Sequence, residues 1–413
     1  MYLTDAEKRI LDGESGEPQR LALRVLAKLG EACGAERMVE IVSAHLVASS
    51  YQIAGEAGID IYSQLVQQGA KVKVRTTSDP GSIVFARWQE FRTPADYAAR
   101  QVKIAELLDQ MGVIPTWTCT PYTTFNVPRF GDHLGWSESS AVVFVNSAIG
   151  ARTNRLAAYV DLCAALTGRV PCFGLHLPEN RRGQVVFELA SDLATDFADH
   201  YFPALGYLVG QIVGDQVPVI MGLRHATFDQ LKAFGAASAA SGSVALYHMV
   251  GITPEARTLE EACGGKPPGE RIPVGKRELA NVMEQMGAFT DGPVDVVGIG
   301  CPHASIDQMR RYASLLDGKR VHPNTQLWVC TNVVVEEMAR KMGYVETIER
   351  AGAKLMVGTC HNDCPLGAWN FRRLVTDSGK FAYYTPTTVG TQCVFASTEA
   401  CIQAAITGKA ERT

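Results

Sequence analysis

The sequence predicts an α/β fold in which most strands are parallel. Short apolar runs of strand length alternate with amphipathic segments of helix length along most of the chain. Hydrophobic residues make up 46% of the 413 residues and charged residues 20%, as in ordinary globular proteins. No internal repeat or low-complexity tract interrupts this alternation. We therefore expect βα units arranged in more than one packed unit.

The predicted strands are short apolar runs bounded by glycine, proline or polar residues. They cover residues 38–46, 71–76, 217–223, 244–252, 294–300, 326–330 and 354–360. The predicted helices have apolar residues at helical spacing. They cover residues 18–30, 94–112, 137–149, 154–167, 304–317 and 332–344. Near the start of the chain, Thr4 and Glu7 have the spacing of a capping box. The glycine- and proline-rich stretch 263–276 is the best candidate for a linker, and a long surface loop is the alternative.

Charge and hydropathy exclude several classes of protein. The formal net charge is −4 and no run of Lys and Arg is present, so nucleic acid is not an expected partner. No apolar stretch approaches the ~20 residues that span a bilayer. The first residues lack the apolar core of a signal peptide, so we expect a cytoplasmic location. In that reducing compartment the eleven cysteines are expected to be free thiols or metal ligands.

Three cysteines lie where a predicted strand passes into a loop. Cys301 follows the strand 294–300, Cys360 closes the strand 354–360, and Cys119 lies in a segment rich in threonine and proline. Ligands of open α/β sheets bind at the carboxyl ends of the strands, so these three cysteines can converge on one crevice. From the residues alone, both a metal or iron–sulfur site and simple packing of buried thiols stay open.

The other cysteines are less informative. Cys330 also ends a strand, and the run from Cys360 to Cys364 can hold a metal by itself, although no second zinc pair follows it. The remaining six lie in predicted helices or strands and are expected to pack in the core: Cys33, Cys163, Cys172, Cys263, Cys393 and Cys401. No complete dinucleotide-binding, P-loop or Gly-x-Ser-x-Gly motif is present.

Several long motifs of the chain resemble the aconitase X family, in the branch whose catalytic subunit is a separate chain. The most specific is TCTPYTTFNVPRFGDHLGWSESSAVVFVNSAIGARTNR at 118–155, followed by LTGRVPCFGLHLPENR. Further motifs are GIGCPHASIDQM (298–309), ARKMGYVETIERAGA (339–353) and TDSGKFAYYTP (376–386). The resemblance runs from LTDAEKRILDGESGE to STEACIQAAITGK, which is nearly the whole chain.

The resemblance implies the fold of the first three domains of aconitase, as αβα sandwiches with mostly parallel sheets. We divide the chain into an N-terminal α/β region, 1–225, carrying Cys119, and a C-terminal region, 226–413, carrying Cys301 and Cys360. These are the three cysteines that the strand ends select, and the resemblance implies that they hold an iron–sulfur cluster. Three thiolates leave one iron of a [4Fe–4S] cluster open as a Lewis acid, and a [2Fe–2S] cluster is the alternative.

The sequence also predicts residues around the substrate. His303, a polar residue two positions past Cys301 and near the predicted crevice, is the predicted catalytic residue, with a structural hydrogen-bonding role as the alternative. Beside the resemblance, the predicted substrate-binding residues are Ala48, Ser49, Ser50, Asp79, Asn146, Ser147, Arg152 and Lys380. Arg152 or Lys380 is expected to bind a carboxylate, and Arg152 can instead brace helix ends. Asp79 stands where we associate members that dehydrate phosphomevalonate with asparagine, so it is expected to oppose a substrate ammonium.

The activity implied is the dehydration of a small hydroxy acid. We expect cis-3-hydroxy-L-proline as substrate, with 5-phosphomevalonate as the alternative and a non-catalytic iron–sulfur sensor or scaffold as a second alternative. A separate small subunit, corresponding to the mobile fourth domain of aconitase, is expected to complete the active site. A serine of that subunit is the expected base. Cys330, His361 and Cys364 remain possible additional participants.

Overall fold

The protein folds into three regions, each built around a parallel sheet. The computed structural model describes residues 1–194, 197–267, 269–287, 292–388 and 390–410. We call residues 1–182, 183–287 and 292–410 the first, second and third regions. Within the described part of the chain, no helix combines the length and the apolar character needed to cross a bilayer.

The first region contains a three-stranded parallel sheet and a separate antiparallel pair. Its strands are β1 (Met38–Glu40), β2 (Ser43–Leu46), β3 (Arg75–Ser78), β4 (Leu134–Trp136) and β5 (Arg169–Pro171). Its helices are α1 (Asp5–Leu11), α2 (Glu17–Ala32), α3 (Tyr51–Gln67), α4 (Ala95–Gln110), α5 (Ser139–Phe144) and α6 (Val160–Thr167). The parallel order is β3-β2-β4, and β1 pairs with β5. The Thr4–Glu7 capping box is confirmed at the start of α1.

The second region contains a four-stranded parallel sheet in the order β8-β7-β6-β9. Its strands are β6 (Val185–Leu189), β7 (Pro218–Met221), β8 (His248–Met249) and β9 (Arg271–Val274). Its helices are α7 (Ser191–Ala194), α8 (Tyr201–Val213), α9 (Phe228–Ser241), α10 (Leu259–Ala262) and α11 (Lys276–Gln285). Helices α8 and α9 pack closely because Gly206 has no side chain. A Cβ there would lie 2.2 Å from the carbonyl oxygen of Phe234.

The third region contains a five-stranded parallel sheet in the order β13-β12-β11-β14-β15. The whole region has these strands, of which β11 to β15 form the five-stranded sheet: β10 (Gly292–Pro293), β11 (Val296–Ile299), β12 (Gln326–Thr331), β13 (Lys354–Val357), β14 (Arg373–Thr376), β15 (Gln392–Phe395) and β16 (Lys409–Ala410). Its helices are α12 (Ile306–Leu316), α13 (Val333–Lys341), α14 (Tyr344–Arg350), α15 (Gly379–Thr388) and α16 (Thr398–Thr407). Central strands β11 and β12 are buried, as expected of a parallel sheet with both faces covered.

The predicted α/β class is confirmed, and several local predictions are wrong. Of the run 244–252 only His248–Met249 forms a strand, and the helix predicted for 154–167 begins at Val160. The run 38–46 forms two strands, β1 and β2, which belong to different sheets. The run 71–76 was placed too early, because β3 occupies 75–78. The linker candidate 263–276 contains β9, which pairs with β6 at the edge of the second sheet. The division of the chain at residue 225 stays a prediction, and the strands of the second sheet lie on both sides of that position.

A buried arginine joins the first and second regions. The Arg181 guanidinium is 3% exposed and pairs with Glu255 of the second region. It also donates to the backbone oxygen of Asn146 at 2.9 Å and to the backbone oxygen of Leu175 at 3.2 Å. Because the guanidinium is buried and fully used, both regions lose a shared partner if it is removed.

Replacing Arg181 by alanine should therefore destabilise the protein strongly. Removal of one partner from a buried ion pair costs about 3 kcal/mol or more, since the other charge is left without a partner. Thermal unfolding followed by circular dichroism measures the effect. Arg257→Ala is the matched control, because its pair with Glu261 lies on the surface, and it should leave the midpoint nearly unchanged. Equal effects of the two substitutions would contradict the structural role of Arg181.

Candidate active site at the strand ends

The loops that carry Cys119 and Cys360 are bound to each other through the loop after β3. Thr118 N donates to Ser78 O at 3.1 Å, which ties the Cys119 loop to the end of β3. Just beyond β3, Gly81 N donates to Gly358 O at 2.9 Å and Gly81 O accepts from the Thr359 hydroxyl at 2.5 Å. Carboxyl ends of strands from the first and third regions therefore meet here.

Cys301 reaches the same place from β11. Gly300, which precedes it, has a left-handed backbone with φ of 82°. A Cβ at Gly300 would lie 2.3 Å from the carbonyl oxygen of Cys330, so the turn requires glycine. Two residues later, the backbone N–H of His303 donates to the sulfur of Cys119 at 3.3 Å.

The three predicted cysteine ligands are neighbours. Burial raises the pKa of the Cys360 thiol well above its usual value, and the charges of Asp363, Cys301, Cys330 and Cys119 add to this effect. Burial likewise raises the pKa of the Cys119 thiol, to which the charge of Cys301 contributes. The positive charge of Lys380 acts against this rise at Cys119 and Cys301, so it favours the thiolate forms that bind metal.

The donor set fits a multi-iron cluster better than a single ion. In the described ranges, no group of three or more His, Cys, Asp or Glu side chains is arranged to hold one metal ion. In a cluster each cysteine binds a different iron, so its ligands stand further apart than those around one ion. Thiols from three separate loops fit this description, with Cys119 and Cys360 buried and Cys301 partly exposed, and thiolates are the usual ligands of iron–sulfur clusters.

Cys330 and Cys360 have contacts that the sequence did not indicate. The Cys330 sulfur lies 3.3 Å from His361 Nε2 and 3.8 Å from the sulfur of Met356, within the core. The Cys360 thiol donates to the Asp363 carboxylate at 3.3 Å. Burial raises the pKa of Asp363 to about 6, although this hydrogen bond acts in the opposite direction. Additional roles for Cys330, His361 and Cys364 stay predictions.

Lys380, a predicted substrate ligand, forms a buried ion pair with Glu138, which sequence reasoning missed. Glu138 caps α5 by accepting from Ala141 N at 2.6 Å, and it accepts from the Ser140 hydroxyl at 2.7 Å. Burial alone would raise the pKa of Glu138, but the charge of Lys380 and these hydrogen bonds outweigh it and lower that pKa to about 2. The pair therefore joins the first and third regions in its ionised form, beside Cys119 and Cys301.

The small-residue loop Ala48, Ser49 and Ser50 packs against the loop that carries Asp79. The Ser49 hydroxyl donates to the backbone oxygen of Asp79 at 2.9 Å. The Ala48 carbonyl accepts from the Tyr62 hydroxyl at 2.7 Å, and the Ser50 side chain caps α3. The loop thus supports Asp79, and its direct contact with substrate stays a prediction.

Asp79 is buried beside His45. His45 Nε2 lies 3.4 Å from Asp79 Oδ1, and among the described residues Asp79 Oδ1 has no hydrogen-bond partner. Burial raises the pKa of Asp79 well above its usual value, and the charges of Glu138 and Asp363 add to this effect. Burial lowers the pKa of His45 to about 4. Both pKa shifts favour the neutral forms of Asp79 and His45. A positive charge placed beside Asp79 would lower its pKa and so favour the ionised carboxylate.

Asn146, Ser147 and Arg152 make contacts away from the cysteine loops. Asn146 bonds the backbones of Thr153 and Ala245, and the Ser147 hydroxyl accepts from Tyr247 N at 2.9 Å. Arg152 Nη1 donates to the backbone oxygen of His176 at 3.4 Å. These contacts brace the first region internally and against the second. Substrate binding by these three residues stays a prediction.

His303, the predicted catalytic residue, has both ring nitrogens within hydrogen-bond distance of protein oxygens. Nδ1 lies 3.1 Å from the Thr118 hydroxyl and Nε2 lies 2.9 Å from the backbone oxygen of Thr359. Burial lowers the pKa of His303 to about 4, so the ring is neutral near pH 7. A catalytic role stays a prediction.

A crevice of about 900 Å³ between the second and third regions reaches Cys301. Its walls include Lys232 of α9, Arg311 of α12 and Asp377 after β14. The backbone of Gly300 and Pro302 also lines it. The crevice thus connects solvent with the strand end that carries one of the three cysteines.

Comparison with known proteins assigns the family. Models of the aconitase X first, second and third domains match residues 1–179, 183–284 and 294–407. The phosphomevalonate dehydratase large subunit of Methanothermobacter thermautotrophicus is 40% identical, with 96% of each chain covered. The cis-3-hydroxy-L-proline dehydratase of Pseudomonas aeruginosa is 38% identical over 98% of this chain and 70% of the relative. The crystal structure of holo-form aconitase X from Thermococcus kodakaraensis superposes with a TM-score of 0.89 at 37% identity, covering 98% of this chain and 100% of that one.

Parallel sheets whose carboxyl ends bring three cysteines and a buried acid–lysine pair together define a dehydratase of the aconitase type, and the named relatives are dehydratases. The chain belongs to the aconitase X family. It is accordingly a hydro-lyase.

Replacing Glu138 by glutamine should destabilise the protein near pH 7, because Lys380 is then buried without a counter-charge. The Glu138 pKa is depressed in the folded state, so its contribution is complete above the unfolded value near 4.5 and is lost as pH falls towards about 2. Thermal midpoints of wild type and variant should differ by a constant amount above pH 5 and converge below pH 4.5.

Glu31→Gln provides the control for that experiment, because Glu31 pairs with Lys28 on the surface of α2. It should have little effect at any pH. A Glu138→Gln difference that stays constant down to pH 3 would contradict the assigned ionisation of Glu138.

Proposed function

We propose that this chain is the cluster-bearing large subunit of an iron–sulfur dehydratase acting on cis-3-hydroxy-L-proline. The product would be an enamine that tautomerises to Δ1-pyrroline-2-carboxylate. In this reaction the bond from C3 to oxygen and the bond from C2 to hydrogen break, and water leaves. The observation that carries the proposal is Asp79, a buried acid near Cys119 whose carboxylate would attract a substrate ammonium and repel a phosphate.

Cys119, Cys301 and Cys360 would hold the cluster. When bound through three cysteines, a cluster can supply a Lewis acid that assists departure of the hydroxyl group. The loops position the three sulfurs, and burial excludes water from Cys119 and Cys360, which are 7% and 8% exposed. Lys380 favours the thiolate forms and is the cation placed to bind the substrate carboxylate.

The balance of charge near the cysteines supports an amino acid substrate. Glu138 and Asp363 both raise the pKa of Asp79, whereas Lys380 lowers it. Lys380 is already paired with Glu138, so it can bind one carboxylate but cannot also balance the two charges of a phosphate. A ring ammonium next to Asp79 would instead favour the ionised carboxylate and gain an ion pair inside the site.

5-Phosphomevalonate is the second candidate substrate, and relatives named for each of the two activities have similar identity to this chain. The relative from M. thermautotrophicus, named a phosphomevalonate dehydratase large subunit, is 40% identical over 96% of this chain, which supports this candidate. A phosphate would need cations beyond Lys380. Arg310 and Arg311 line the crevice, where they pair with Asp307, Asp199 and Glu399.

A small partner chain would complete the active site. The M. thermautotrophicus relative is called a large subunit, and this chain covers only 70% of the P. aeruginosa dehydratase. The base that takes the α-proton is expected from that partner, with a serine as the candidate. The 900 Å³ crevice beside Cys301 offers a route for substrate between the regions.

Each of Cys119→Ser, Cys301→Ser and Cys360→Ser should abolish the cluster, because each removes the thiolate ligand of one iron. The measurement is iron and acid-labile sulfide per chain, with an absorption spectrum, after anoxic purification and reconstitution. Cys401→Ser is the matched control, because Cys401 is fully buried on α16 away from the strand ends. A wild type that stays colourless, or a cluster that depends only on Cys330 and Cys364, would sink the proposal.

Asp79→Asn should lower kcat/KM for cis-3-hydroxy-L-proline by about tenfold or more, since loss of one ion pair of ~1.4 kcal/mol corresponds to that factor. The assay uses the complex co-expressed with the small chain of the same organism, and the large chain alone should be inactive. Asp5→Asn, on the surface of α1, is the control. An unchanged kcat/KM for hydroxyproline, or turnover of 5-phosphomevalonate alone, would exclude the assignment of substrate.

A further inference from the structure

His303 contacts all three regions of the protein at the point where the cysteine loops meet. Its ring lies between Thr118 of the first region and Thr359 of the third, at 3.1 and 2.9 Å. Its backbone oxygen accepts from Lys232 Nζ of the second region at 3.0 Å. Its backbone N–H donates to the Cys119 sulfur at 3.3 Å. We call these contacts the His303 junction.

The partners fix the direction of each hydrogen bond. The backbone oxygen of Thr359 can only accept, so Nε2 carries the proton and donates to it. In the neutral ring Nδ1 then has a free lone pair and accepts from the Thr118 hydroxyl. The Thr118 oxygen accepts in turn from Thr120 N at 3.1 Å. No polar atom of the ring remains for a substrate.

The second region contributes through a buried lysine. Lys232 is 4% exposed and pairs with Asp229 on α9. It also donates to the Gln308 side chain at 2.7 Å, and Gln308 belongs to the capping box of α12. The carbonyl of His303 is therefore attached to a network of α9 and α12, and the backbone of His303 cannot shift without breaking it.

We infer that His303 is a positioning residue that sets the spacing of Cys119, Cys301 and Cys360 for the cluster and donates a backbone hydrogen bond to the sulfur of Cys119. This inference rests on the proposed iron–sulfur site. His303 is two residues from Cys301, and its ring partners Thr118 and Thr359 directly precede Cys119 and Cys360. One side chain thus connects all three ligand loops. Partners outside the ligand set commonly change metal affinity by about 10- to 100-fold when they are removed.

Three substitutions divide the junction into its parts. In His303→Asn the amide oxygen lies near the position of Nδ1, so the contact with Thr118 is kept and that with Thr359 is lost. In His303→Gln the amide nitrogen lies near the position of Nε2, so the contact with Thr359 is kept and that with Thr118 is lost. His303→Leu loses both. The control is His248→Gln, at a buried histidine whose Nε2 bonds the backbone oxygen of Arg181 at 2.7 Å.

The measurements are iron and sulfide per chain after anoxic reconstitution, the rate of cluster loss to an iron chelator, and the electron paramagnetic resonance spectrum of the reduced cluster. We expect each single-contact variant to lose its cluster roughly 10-fold faster than wild type, and the leucine variant faster still. The spectrum should change in all three variants and stay the same in the control. Activity is not needed for any of these readouts.

The outcomes separate this inference from the proposed function. If wild type takes up no iron, the iron–sulfur proposal fails, and the inference fails with it. If wild type binds a cluster, and the asparagine and glutamine variants retain it with unchanged rate and spectrum, only the role of His303 is wrong. Because the leucine variant can fail to fold, the asparagine and glutamine pair decides. A loss in His248→Gln equal to theirs would also overturn the inference, since it would reflect general loosening of the core.

Discussion

Hydrogen bonds between strand-end loops of separate sheets hold the site together. A parallel sheet leaves its carboxyl-end loops without ladder partners, so their backbone groups must find other acceptors and donors. In this protein the backbone groups of these loops form hydrogen bonds with one another. The loop after β3 bonds the loop after β13 through Gly81 and Gly358, and the Cys119 loop bonds the end of β3. The cysteines are brought together because the backbone groups of the loops that carry them are hydrogen-bond partners of one another.

The ion pair of Glu138 and Lys380 is buried at the same place, and burying these two charges costs free energy. Removing Glu138 and Lys380 from water costs several kcal/mol for each ion, and their attraction offsets this only when further hydrogen bonds are made. Glu138 has those bonds at the start of α5. A pair of apolar side chains would serve stability as well or better. The ion pair therefore agrees with the proposed function, in which its lysine would keep a positive charge beside thiols that ionise to bind the cluster.

The sequence was sufficient for the fold class and for placing Cys301 and Cys360 near strand ends, because both depend on local patterns; the role of these cysteines as cluster ligands stays a prediction. Apolar runs mark β11 and β13, and Cys301 and Cys360 follow the last residues of these strands by two and three positions. Edge strand β9 was missed since its partners lie on β6, far away in sequence, and its glycine- and proline-rich surroundings are typical of a loop. Glu138 was missed for a related reason. Its neighbours indicate only a helix start, and its charge partner is Lys380, 242 residues later.

Asn146 and Arg152 show what a motif does not specify. Both belong to a motif that predicts substrate contacts, which stay a prediction, and the structure gives them contacts with backbone groups of the first two regions and, for Asn146, with the Arg181 guanidinium. A motif does not say for what each of its residues is needed. Under the proposed function, the cysteine loops would serve the removal of water, whichever acid is bound. Discrimination between an ammonium and a phosphate must then come from the charges around them. Among the described residues, one carboxyl oxygen of Asp79 has no hydrogen-bond partner, and nearby acids raise the pKa of Asp79. The free energy of ionising Asp79 is therefore the one that a bound cation would change in favour of the carboxylate.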